Sequence, residues 1–152
     1  MSHYVMLHSH VSNNQQEHKN QIFNFVNEFH TPLECRGEWE VALVELVYPK
    51  FQRSETVYSL VYIDCVEFSY VGSHQYSVIR PVLLQNSNKD TVVNIDNYTN
   101  PYYMTVCKSR VESVTLQIEP ELDFEKSPYS LNSGDVTAKL HFREKLRRNA
   151  KR

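Results

Sequence analysis

Along most of the chain, hydrophobic and polar residues alternate one for one, the period of a strand with one face in water. In residues 111–119, Val114, Leu116 and Ile118 point one way while Thr115, Gln117 and Glu119 point the other. Residues 135–142 repeat the pattern, with Val136, Ala138, Leu140 and Phe142 inward. Tyr4, Met6 and His8 alternate with Val5, Leu7 and Ser9, and Phe23, Phe25 and Phe29 share a face. Helical periodicity is scarce, confined to a turn or two within residues 13–21 and the C-terminal tail. Turn chemistry separates the alternating runs around Gly37 and Gly72 and at residues 85–90, 96–101 and 131–135. About eight antiparallel strands are predicted: 3–8, 21–29, 38–47, 57–70, 76–84, 91–95 or 102–107, 112–119 and 134–142. That number of short strands implies an all-β sandwich or jelly roll, and periodicity alone does not choose between them.

The run "EWEVALVELVYP", residues 38–49, departs from the alternation. From Trp39 to Tyr48 it holds eight apolar residues and two glutamates. Trp39, Val41 and Leu43 form one set and Ala42, Val44 and Leu46 the other, so both faces require cover. That is the signature of a central strand in a packed sandwich. The predicted core is Trp39, Val41, Leu43, Val114, Leu116, Ile118, Val136, Leu140 and Phe142.

Composition changes this picture little. The 152 residues fit one domain, and 12% aromatics suit a strand-rich fold. No apolar run approaches the ~20 residues of a membrane helix. The first ten residues lack a basic region followed by an apolar core, so no secretory signal is expected. Three widely spaced cysteines, Cys35, Cys65 and Cys107, argue against a disulfide scaffold and for reduced thiols.

Charge is less even. The last ten residues carry Arg143, Lys145, Arg147, Arg148, Lys151 and Arg152 against Glu144 alone. Subtracting them from 16 basic and 18 acidic residues leaves 10 and 17, a body near −7 with a basic arm. The arm's cations suit phosphates or an acidic neighbour equally, and no aromatic interleaves them for base stacking. The expected division is a domain over residues 1–142 and an arm over 143–152.

Candidate chemistry is thin. His3, His8, His10 and His18 invite a metal, but no matching ligands follow at the required spacing. His18 with Cys35, or His141 with Cys107, could be drawn as a base and a nucleophile, yet neither has an orienting third group or an oxyanion loop. Three glycines exclude a glycine-rich phosphate loop. Asp64 and Glu67, three apart on a presumed strand, face opposite ways and form no carboxylate pair. The sequon at residues 97–99 reads as a loop. No enzyme activity, metal or cofactor is expected.

Three stretches, in order, resemble one family. "EWEVALVELVYP" is similar to a "GxWEVAL-E-YP" block. "VYIDCVEFSYVGSHQYSVIRPV", residues 61–82, is similar to a "Y-D-IVEPQYVGD…LLR" block. Residues 100–143 resemble the closing block, with an "NP-Y-PV" entry and a "G-V-V-LHFR" end, and "YVMLHSHVSN" resembles the opening. These occur in the minor capsid (penton) proteins of Polintons, or Mavericks, and adintovirus-like DNA viruses. The resemblance covers about residues 3–143. A long insertion of many members is replaced here by residues 51–57, "EPQY" becomes "EFSY" and "LLR" becomes "VIR". The resemblance implies a single jelly roll that forms pentamers at the vertices of an icosahedral shell. Its partners would be its own copies, a double jelly-roll major capsid protein and, through the arm, packaged DNA. It would reside in the virion, assembled in the host cytoplasm or nucleus. The rival readings are a β-sandwich binding module for protein or glycan, a small hydrolase using one of the His/Cys pairs, which the absence of a convergent triad disfavours, and a domesticated transposon-derived protein without a capsid role.

Overall fold

The computed structural model describes residues 1–9, 24–50, 56–86, 93–120 and 135–146. Among these there is no helix. The strands are β1 (Ser2–His8), β2 (Asn24–Glu34), β3 (Trp39–Pro49), β4 (Val57–Ile63), β5 (Ser69–Val71), β6 (His74–Tyr76), β7 (Val78–Leu84), β8 (Val93–Asn97), β9 (Met104–Thr105), β10 (Arg110–Pro120) and β11 (Thr137–Glu144). The possible helical turn at 13–21 lies outside the described residues. Two antiparallel sheets form the body. Sheet A has the order β1-β11-β3-β8, with β9 also on β3, and sheet B has the order β2-β10-β4-β7. The pair β5-β6 is a separate hairpin.

The alternating runs become strands because each has one apolar face, and the two sheets bury those faces against each other. Trp39, Val41 and Leu43 of β3, Val114, Leu116 and Ile118 of β10, and Val136, Leu140 and Phe142 on and just before β11 all lie in one buried cluster. Phe25 joins them, and Phe29 packs at their margin; Phe23 lies outside the described residues.

Side-chain amides and hydroxyls tie the sheets together at both flanks. On one, Asn27 of β2 clamps the backbone of His8 on β1, accepting from its N–H (3.0 Å) and donating to its carbonyl (2.9 Å). On the other, the buried Tyr48 hydroxyl donates to Asp96 of β8 (2.8 Å) and accepts from the Gln85 N–H just past β7 (3.2 Å). A buried polar group so partnered avoids a penalty of about 1–3 kcal/mol.

Two sequence expectations are corrected by the register. The apolar run of β3 does not need both faces covered in the way its residues imply. Lys139 pairs with Glu45 but Leu140 pairs with Leu43, so Val44 is an extra residue in the ladder. The bulge shifts the phase: Trp39, Val41 and Leu43 point inward before it, Leu46 and Tyr48 after it, and all five are buried. The freed Val44 carbonyl accepts the Tyr98 N–H at 2.9 Å. Ala42 remains on the outer face, opposite His141, and is also fully buried.

The single strand expected over 57–70 is broken. The chain turns at residues 64–65, where Thr115 donates its N–H to the Asp64 carboxylate (3.0 Å) and accepts the Asp64 N–H (3.3 Å). Asp64 and Glu67 therefore sit on a turn and its exit rather than on one strand. Both alternatives for the sixth strand occur, as β8 and β9.

Candidate functional site

The side chains that β1 and β11 turn away from the core meet on the outer face of sheet A. Tyr4 lies directly across from His141 in the β1–β11 register. Their rings stack at 4.5 Å between centroids, inclined by 14°. Tyr103, from the segment before β9, approaches His141 edge-on at 5.8 Å. Its hydroxyl shares a hydrogen bond of 2.8 Å with His141 Nδ1.

Cations alternate with these rings. Lys139 Nζ lies 5.0 Å from the Tyr4 centroid, and Arg143 Cζ lies 3.4 Å from that of Tyr103. Such contacts contribute about 0.5–1 kcal/mol each at exposed sites. Arg143 is further held by Glu40 of β3, Nε to Oε1 at 2.8 Å. Between this ladder and the bulge opens a groove of about 360 Å³, lined by Tyr4, Val44, Tyr98, Tyr103, Lys139 and His141 among others.

Burial and then the neighbouring Arg143 charge hold the His141 pKa below its ordinary 6.5. Lys139 lines the same groove with Glu45 across the ladder from it, Glu40 holds Arg143, and Tyr4 and Tyr103 flank the ring. The unfolded chain therefore takes up this proton at higher pH than the folded one. The stability it contributes is present above about 6.5 and is lost as pH falls through that value toward the folded pKa. Thermal melts from pH 8 to 5 should show this decline, and His141→Asn should flatten it. An unchanged slope in the variant would assign the effect to other groups.

A second aromatic–cation cluster lies behind the groove. Arg80 of β7 sits 4.1 Å from the Tyr98 ring centroid and 4.8 Å from that of Tyr102, and donates to the Asn100 carbonyl at 3.3 Å. Burial, and next the Asp96 charge, raise the Tyr98 pKa, with Arg80 opposing. The Arg80 Nε and the Tyr98 hydroxyl are buried without a hydrogen-bond partner among the described residues.

The residues singled out from sequence are scattered. His3 stacks on Trp39 at 5.8 Å, whereas His8 shares a 3.1 Å hydrogen bond with the Thr137 hydroxyl. His10 and His18 lie outside the described residues, so the pairing of His18 with Cys35 does too. No group of three His, Cys, Asp or Glu positioned for a metal occurs among the described residues. The ring partners of His141 are Tyr4 and Tyr103, while Cys107 lies beside Cys65, its N–H donating to the Cys65 carbonyl at 2.9 Å. Burial pushes the Cys35 thiol up to about 11 and the Cys65 thiol up to about 12, the reverse of an activated nucleophile.

The closing strand runs past residue 142. β11 continues through Arg143 to Glu144, the Lys145 N–H donates to the Glu38 carbonyl at 2.8 Å, and the Lys145 ammonium reaches the Thr105 hydroxyl. Two of the six cations are thus engaged with the domain, because Glu40, Tyr103 and Thr105 offer them partners. Arg147, Arg148, Lys151 and Arg152 lie outside the described residues.

No helix among the described residues is long and apolar enough to cross a membrane. The sequence matches no protein-family model and no curated protein.

Proposed function

We propose that the chain is a single jelly-roll minor capsid subunit that forms pentamers at the vertices of an icosahedral DNA-virus or Polinton-like shell. The observation that carries this reading is the strand order. Of the eight strands in the two four-strand paths, the first pairs with the eighth, the second with the seventh, the third with the sixth and the fourth with the fifth. That pairing supports one long antiparallel ribbon wrapped into two facing sheets, as a jelly roll requires. The three sequence blocks that resemble penton proteins fall on β3, on β4 to β7, and on β9 to β11. In this role the protein performs no chemistry. Its contacts are with its own copies, with a double jelly-roll major capsid protein and with packaged DNA.

Solution mass tests this reading. The body near −7 opposes its own association at low ionic strength, and salt at 0.15 M shortens the Debye length to about 8 Å. Sedimentation velocity should show a closed cyclic oligomer that becomes more populated as salt rises from low to physiological strength. A monomer across a wide range of salt and protein concentration rejects self-assembly at a vertex.

The basic arm gives a separate test. With Arg143 and Lys145 engaged, four cations remain, so the log–log dependence of DNA affinity on salt should have a slope of about −4. Binding should ignore sequence, and removal of residues 147–152 should abolish it while leaving the oligomer. If the truncated chain loses its ring instead, the arm serves assembly and DNA is not a partner.

The groove on sheet A favours a second reading, a β-sandwich module that binds a ligand among Tyr4, Tyr98 and Tyr103. A stable monomer in which a ligand perturbs these tyrosines would support it over the capsid role.

A further inference from the structure

We infer that the β5–β6 hairpin of one copy docks into the tyrosine groove on sheet A of the next, joining copies head to tail. The inference rests on the capsid reading above and names the contact it requires.

Among the described residues, β5 and β6 pair with each other and belong to neither sheet. It and the residue before it expose Phe68 by 70%, Tyr70 by 73% and Tyr76 by 41%. Scattered apolar residues on a surface are ordinary, but three large ones on one protrusion are a contact waiting for cover. Tyr76 packs edge-on against Tyr62, 5.7 Å between centroids. On β4, Val61 and Ile63 are buried in the core, so Tyr62 between them faces outward from sheet B. Tyr76 therefore rests on the outer side of sheet B, while at the hairpin's foot Glu67 donates its N–H to the Thr105 carbonyl of β9 at 3.0 Å, and the groove lies on the outer side of sheet A. Knob and recess are different surfaces of the copy, so a contact between them is heterologous, and it makes a ring when the rotation closes.

Size and charge fit the same pairing. A groove of about 360 Å³ lies at the small end of the ~300–1,000 Å³ range of binding cavities, enough for an aromatic side chain. From residue 65 to 79, Glu67 is the sole Asp, Glu, Lys or Arg. In the groove, Lys139 has the Tyr4 ring beside it and no carboxylate partner among the described residues. Glu45, its cross-strand neighbour on the groove wall, makes no ion pair with it. An incoming Glu67 would supply the missing anion. A flat sugar fits less well, since Tyr4 already stacks on His141 and carries Lys139 over its ring.

The test uses the full chain in sedimentation velocity at physiological salt. Phe68→Ser with Tyr70→Ser removes the knob, and Thr99→Trp, at an exposed position on the groove wall, fills the recess. Each protein should keep the wild-type melt and show at least a tenfold rise in its dissociation constant, the scale of an interface hot spot. Mixed in equal amounts, the two should form a dimer and nothing larger, because one intact hairpin meets one intact groove and both outer ends are dead. Glu67→Lys and Lys139→Glu should each weaken assembly and, combined in one chain, restore it. Rings that form normally in either single-site protein, or a mixture that stays monomeric, overturn this contact while leaving the capsid reading intact. A wild-type protein that never associates overturns both.

Discussion

Deleting Leu46 should leave no cooperatively folded protein, whereas a chain lacking Val44 should fold. Val44 is the extra residue of the ladder, with Leu43 paired to Leu140 on one side of it and Glu45 to Lys139 on the other. Its removal joins two halves of β3 that are already in phase with β11, so Trp39, Val41, Leu43, Leu46 and Tyr48 all stay inward. The loss is one half-buried side chain and the carbonyl that accepts the Tyr98 N–H, about 1–3 kcal/mol together. Removing Leu46 offers no such escape. If the bulge stays, Tyr48 swings outward and Val47 swings in; if the bulge closes, Glu45 is turned into the core instead. Losing Leu46 costs about 1.5–3 kcal/mol and expelling Tyr48 a similar amount. Burying an unpaired Glu45 costs several more. Against a stability of about 5–15 kcal/mol, such a sum leaves little or nothing folded. Near-UV circular dichroism and thermal melts distinguish the two. A Val44-deletion protein without a cooperative melt would show that the halves of β3 are not in phase across the bulge.

Trp39→Ala should be the costliest single substitution, about 3–5 kcal/mol. The indole is 3% exposed at the start of β3. Its Nε1 donates to the Arg36 carbonyl at 3.0 Å, and His3 stacks on it. Truncation leaves a cavity beneath β1, an unpartnered carbonyl in the turn around Gly37, and a histidine without its ring partner. For a chain of this length the melting temperature should fall by on the order of 10 °C. Trp39→Phe, which loses the hydrogen bond but fills most of the space, should cost much less. Urea denaturation measures both, and equal losses would mean that the hydrogen bond, not the packing, dominates.

The body of the fold was legible in the sequence because its signal is local. The alternation in residues 111–119 and 135–142 follows from one buried face, and β10 and β11 occupy those runs within two residues. The bulge was not legible, since the same "EWEVALVEL" describes either a strand wet on neither face or two half-strands of opposite phase. Only the position of Lys139 and Leu140 across the ladder decides. Arg143 shows a similar limit: composition places it in a basic run, but Glu40 and Tyr103 hold it in β11. The site on sheet A was half visible. Tyr4 and His141 lie on the polar faces the periodicity marks, but Tyr103 and Tyr98 come from loops whose path no period predicts. That β1 and β11 are neighbours is a fact of topology, and periodicity carries no information on it.

That neighbourhood also governs when the protein can become itself. Among the described residues, the first strand pairs in sheet A with the eleventh, and the eleventh is what joins the first to the third. During synthesis, β1 emerges early and has no sheet to enter until more than a hundred further residues have been made. Until then its exposed edge, with Tyr4 and Met6 beside it, is open to pairing with other chains. Closing so distant a contact is entropically slow. Crowded synthesis should therefore favour aggregation of unfinished chains over their folding, and a chaperone that shields residues 2–8 should raise the yield more than one that shields the interior strands.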